Sequence, residues 1–167
     1  MSIIKELRRV FDEKDFEKFK ALVDALEEVD FMTDDFPVTP FVMLSSEVNK
    51  DNQRLKFLDY LIEKGAKVDQ TCGSMSPLSD ACGAGDLDLI KFLVDRGADV
   101  NYSEASWLPI LRAIAADEAE SLRFLLENPS IDLKFAQEAA YGDTLGVYAK
   151  SKKAKSCMAL LKSLKIK

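Results

Sequence analysis

The residues of this chain that could do chemistry are three cysteines, one tryptophan and an uneven spread of carboxylates and lysines, and no histidine accompanies them. Without histidine there is no Ser-His-Asp or Cys-His nucleophile, no imidazole acid–base chemistry and no imidazole zinc ligand. Cys72, Cys82 and Cys157 are odd in number and lack a CxxC spacing, so they suggest neither a disulfide framework nor a zinc knuckle. No Gly-rich run of the GxxxxGK(S/T) or GxGxxG type is present to cradle phosphates. Asp95-Arg96-Gly97-Ala98-Asp99 lacks the spacing of a calcium loop. Carboxylates are plentiful, yet no pair stands out in an apolar setting as the acids of a glycosidase would. No catalytic, cofactor or metal site is therefore expected.

Charge and hydropathy narrow the partners. The net charge of −6 argues against nucleic acid as the main ligand. The charge is also polarised: from Thr144 onward there are seven lysines (150, 152, 153, 155, 162, 165, 167) and no acid, whereas the preceding residues hold 16 basic against 29 acidic. No apolar run approaches the roughly 20 residues needed to cross a bilayer. Met1-Ser2-Ile3-Ile4-Lys5-Glu6 alternates apolar and charged residues and does not read as a signal peptide. A cytoplasmic monomer away from membranes is expected.

The elements that position these residues recur. Gly65-Ala66-Lys67-Val68-Asp69 returns 32 residues later as Gly97-Ala98-Asp99-Val100-Asn101. At the same offset Leu58, Leu61 and Ile62 correspond to Ile90, Leu93 and Val94, then to Leu122, Leu125 and Leu126. Each unit has a readable plan. In Ser76-Pro77-Leu78 the hydroxyl can cap a helix and the proline sits in its first turn, where a missing N–H costs nothing. Ala81, Cys82, Gly83 and Ala84 are small enough for neighbouring helices to approach. Gly85-Asp86 makes a tight turn, and a second helix follows with its apolar stripe at Leu89, Ile90, Leu93 and Val94. Gly97 ends that helix where a left-handed residue is wanted. A helix, a turn, a helix and a hairpin-like loop cannot bury an apolar face alone, so the unit must stack on its copies.

These residues resemble the ankyrin repeat. Ser76-Pro77-Leu78-Ser79 stands where the family has TPLH, and Ala81, Gly85, Ile90, Leu93-Val94 and Gly97-Ala98-Asp99-Val100-Asn101 fill the rest. The motif histidine is missing from every copy, so its inter-repeat hydrogen bonds must be replaced or lost. Thr39-Pro40-Phe41 opens a similar unit, with a longer loop near residues 46–53. At the chain ends, Ile3, Leu7, Val10 and Phe11 share one helical face, Asp15 opens a helix bearing Phe16, Phe19, Val23 and Leu26, and Met158 and Leu161 line the last helix. The resemblance implies an all-α solenoid of stacked helix-turn-helix units joined by hairpin-like loops. One domain, 1–167, would hold five repeats, 1–33, 34–68, 69–101, 102–134 and 135–167, the outer two being degenerate caps whose far faces meet water.

By analogy with that fold, the implied function is to bind a protein partner in a concave groove of loop tips and first helices. The variable position before the motif Thr falls there, which here is Val38, Met75, Trp107 and Asp143; Tyr102 lies on the same loop as Trp107. Trp and Tyr bury much area at low entropic cost and are enriched among binding hot spots. Asp34 and Asp35, with Asp30, could steer a basic partner. The competing readings are plain: Trp107 packing between loops, the aspartates forming a solvated loop, the lysines a soluble outer face. Two further functions stay open. One is a dedicated bacterial immunity-type protein neutralising a basic toxin. The other is an enzyme with an unrecognised site, which would need a deep pocket with perturbed ionisable groups.

Overall fold

Short polar residues followed by proline or an apolar run start most of the helices. In a computed structural model of the chain, residues 3–32, 38–47, 52–71, 76–102 and 107–166 are described; among them are eleven α-helices and no strand. Contacts divide the chain into two units, Met1–Cys72 and Gly73–Lys167.

The first unit holds α1 (Ile3–Asp12), α2 (Phe16–Asp24), α3 (Pro40–Ser45) and α4 (Gln53–Glu63). Asp15 caps α2, its carboxylate accepting from the Lys18 N–H at 3.0 Å. Thr39 caps α3, with Pro40 in the first turn. On α1 the buried stripe is Ile4, Leu7 and Val10; Ile3 and Phe11 are only half-buried, one step round the helix from the expected face. An aromatic cluster runs from the buried Phe19 and Phe57 to the half-buried Phe11 and Phe16. The Phe57 ring meets Phe11, Phe16 and Phe19 edge to face, with centroids 4.9–5.2 Å apart. That geometry sets the positive ring edge against the negative face. Asp30 ties the end of the first helix pair to the second: its carboxylate accepts from the Lys67 N–H at 3.1 and 3.3 Å. Burial pushes the Asp30 carboxyl above its ordinary value, against the opposing pull of the Lys67 N–H.

The second unit holds α5 (Pro77–Ala84), α6 (Leu87–Asp95), α7 (Pro109–Ala115), α8 (Ala119–Glu127), α9 (Leu133–Ala139), α10 (Leu145–Ser151) and α11 (Lys155–Ser163). First helices pack on first helices, α5 on α7 and α7 on α10; second helices pack on second helices, α6 on α8 and α8 on α11. Small residues allow this. Ala81, Ala113 and Ala149 hold one position, five residues after the cap, and all are buried. Leu89, Ile90 and Leu93 on α6 and Leu122 and Leu125 on α8 supply the apolar stripe of the second helices. On α11 the buried residues are Cys157, Leu160 and Leu161, while Met158 is exposed.

The pairs α1–α2, α5–α6, α7–α8 and α10–α11 each turn through one left-handed residue, Lys14, Gly85, Asp117 and Lys153, with φ of 58°, 65°, 62° and 59°. A side chain there is strained. Gly85 avoids the strain and also has no room for one, because a Cβ would overlap the Glu118 carboxylate. Asp117 uses its position. Its carboxylate accepts from Ser156 N–H (3.2 Å), Ser156 O–H (3.1 Å) and Cys157 N–H (2.9 Å). The first turn of α11, whose own cap position is Ala154, is thus capped by a residue 39 positions away.

Helix α9 stands where a repeat template gives only a loop. Asp132 caps it by accepting from the Phe135 N–H at 2.9 Å, and Leu133-Lys134-Phe135-Ala136-Gln137-Glu138-Ala139 is rich in strong helix formers. The local chemistry outweighs the repeat register.

Candidate partner-binding face

Helix α7 begins with Leu108 at its cap position and Pro109 in its first turn. The residue just before the cap is Trp107, which the fold leaves 39% exposed. Its backbone is held by the preceding repeat. The Ser79 hydroxyl donates to the Trp107 carbonyl at 2.5 Å, and Ser76 and Ser79 hydrogen-bond each other at the start of α5. Ser79 occupies the position of the missing motif histidine, so a hydroxyl supplies the inter-repeat link that the imidazole would have made. The loops on the other side are tied as well. The Asn101 side chain donates to the Ser130 carbonyl and accepts from the Asp132 N–H, both at 2.8 Å.

Four residues after the cap on α7 is Arg112. Its guanidinium lies 5.1 Å from the centroid of the Trp107 ring. The seat for it is cut into α5. A Cβ on Gly83 would stand 2.8 Å from Arg112 Nη2 and 3.1 Å from Cζ and Nε. Arg112 Nε is buried and has no hydrogen-bond partner among the described residues. One pair further, Tyr148 holds the same position on α10, and Lys152 Nζ lies 5.1 Å from its ring centroid. Two cation-on-aromatic pairs therefore stand on consecutive first helices. Each contributes roughly 0.5–1 kcal/mol where exposed and more where water is excluded.

The expected contact residues are distributed as follows. Trp107, Tyr102 and Asp143 belong to the second unit; Tyr102 is half-buried and Asp143 exposed. Val38, half-buried beside the Thr39 cap, belongs to the first. Met75, Asp34 and Asp35 lie outside the described residues, as does Cys72. The sequence marks Gly83 only as one of four small residues and does not single out Arg112. Their signal is a glycine inside a helix next to a repeat carrying a long cation, and it emerges only once the two helices are aligned.

The two described cysteines are held as neutral thiols. Burial pushes the Cys82 thiol far above its ordinary value, with Arg112 pulling weakly the other way. Cys157 is pushed up to about 12, by burial first and then by the nearby Asp117 charge. A thiol so placed is not a nucleophile at neutral pH. Among the described residues no group of three or more Cys, Asp or Glu could hold a metal ion, and no helix is long and apolar enough to cross a membrane.

Paired helices turning through a left-handed residue, stacked first on first and linked loop to loop, match a family model for ankyrin repeats in three copies, over residues 10–104 and again over 42–137. The chain belongs to the ankyrin-repeat family. No curated protein matches it. Ankyrin repeats generally serve as protein-interaction modules. In this ankyrin-repeat chain the motif positions are kept by Thr39, Ser76, Gly85 and Gly97, while Ser79 and Asp117 carry contacts particular to it.

Proposed function

We propose that this ankyrin-repeat protein is a non-catalytic binding module that holds a protein partner on the first-helix face of its second unit, around Trp107. The observation that carries the reading is Trp107 itself: its backbone is fixed by Ser79 while its ring stays 39% exposed and backed by Arg112. A rigid, half-exposed aromatic beside a cation has the composition of a binding hot spot. Tyr102 and Asp143 are proposed as further contacts from the same unit, and Val38, Met75, Asp34 and Asp35 as contacts from the loops that precede α3 and α5. The five-repeat array with polar caps is proposed to act as a cytoplasmic monomer, without cofactor and without nucleic acid.

Affinity capture from native lysate tests this, run in parallel with the wild-type chain, Trp107→Ala and Tyr102→Ala. Loss of one specific partner with Trp107→Ala, at unchanged thermal stability, is the expected result. Retention of every captured protein by both variants would place the docking surface elsewhere.

A further inference from the structure

We propose that the Trp107 face takes an extended acidic segment of its partner, with two carboxylates about three residues apart, one on Arg112 and the next on Lys152. The proposal rests on the reading that this face is the docking surface. The first support is the Arg112 seat. Glycine is a poor residue inside a helix, yet α5 has Gly83 where a side chain would displace the guanidinium. The space is kept for a cation that makes no ion pair with another described residue. A guanidinium beside an indole is planar and weakly hydrated, and its two terminal Nη groups can grip a carboxylate through two parallel bonds.

The second support is repetition. Tyr148 and Lys152 place another cation over another ring on α10, the first helix that packs on α7. Packed helices lie ~9 Å apart and Lys152 stands four residues, ~6 Å, further along its helix than Arg112 along its own, so the two backbone positions are ~11 Å apart, close to the ~10 Å that three residues of extended chain span. The Arg112 position holds Asp80 on α5 and Tyr148 on α10, where the cation, Lys152, stands one turn further along the helix. A nucleic-acid strand could also offer anions at intervals. However, residues 73–143 carry 13 acids against 5 basic residues, and that field repels a uniformly charged polyanion more than a segment with two carboxylates.

Selection from a displayed library of random linear dodecapeptides tests the proposal, using the full chain as target and Trp107→Ala as counter-target. Expected are Trp107-dependent clones with Asp or Glu spaced three apart. Their synthetic peptides should lose ~10-fold or more in affinity for Arg112→Gln, a comparable amount for Gly83→Ala, and less for Lys152→Gln. Gly83→Ala retains every charge and improves the helix, so it separates a displaced guanidinium from a misfolded chain. Trp107-dependent clones that are basic or uncharged, or that ignore Arg112→Gln, would overturn the acidic segment while leaving the docking face intact. An oligo-dT twenty-mer that shifts Trp107 fluorescence through Arg112 more strongly than the peptides do would put a phosphate backbone in its place. No Trp107-dependent clone at all would remove the docking face and the proposal with it.

Discussion

In the first unit Phe11, Phe16 and Phe19 meet Phe57 edge to face, Phe11 and Phe16 being half-buried; in the second, the buried Ala81, Ala113 and Ala149 let helix backbones approach. The consequence shows four residues after each first-helix cap. In the first unit that residue is Met43, buried with the rest of α3. In the second unit it is Asp80, Arg112 or Tyr148, each only partly buried. In the first unit the whole short helix α3 is buried. Small residues hold the stack together from below and leave the upper face free to carry polar and aromatic side chains. One repeat plan therefore yields a stability-weighted unit and a surface-weighted unit, by side-chain size alone.

That contrast can be broken at several points. The largest effect is expected from Phe57→Ala, which removes the ring that three others touch; about 3–5 kcal/mol of stability should be lost in urea unfolding. Ala113→Leu tests the other half of the comparison. Overpacking between α5 and α7 should cost about 1–3 kcal/mol, and a neutral result would mean that the close approach is not needed. Asp117→Ala removes the cap of α11 and should cost roughly 0.5–2 kcal/mol at neutral pH. Burial raises the Asp117 carboxyl, but the N–H and O–H donors of Cys157 and Ser156 outweigh it, and the net shift is downward. A carboxylate lowered on folding stabilises above its unfolded pKa of about 3.9 and loses that contribution as pH falls through the lowered value. Unfolding curves of Asp117→Ala and wild type should thus be well separated at pH 7 and converge in strong acid. Ser79→Ala should cost about 1 kcal/mol and loosen Trp107, read as a change in tryptophan fluorescence anisotropy. Smallest of all is the effect of Trp107→Ala on stability, within about 1 kcal/mol, although its effect on capture of the partner is expected to be complete.

Much of this architecture is legible in the sequence because short-range chemistry decides it. Asp15, Thr39, Ser76 and Asp86 each cap the helix that follows, and Gly85 and Gly97 take the left-handed conformations their positions require. What escapes a sequence reading depends on packing across repeats. Helix α9 was masked by the repeat template, although the Asp132 cap and the alanine-rich run announce it locally. The role of Asp117 joins residues 39 and 40 positions apart, and no periodicity points to it. Arg112 fits the same description: as a letter it is one cation among many, and only the notch at Gly83 and the ring of Trp107 give it a place. The place of Trp107, just before the cap of α7, could be anticipated because the following Pro109 defines its site in the unit.

Because Trp107 is the sole tryptophan, intrinsic fluorescence reports the central claim with no label. Titration of the protein with its captured and purified partner should shift the emission to the blue and protect it from iodide quenching as the half-exposed ring is covered. Saturable binding detected by calorimetry, with Trp107 emission and quenching unchanged, would contradict the account.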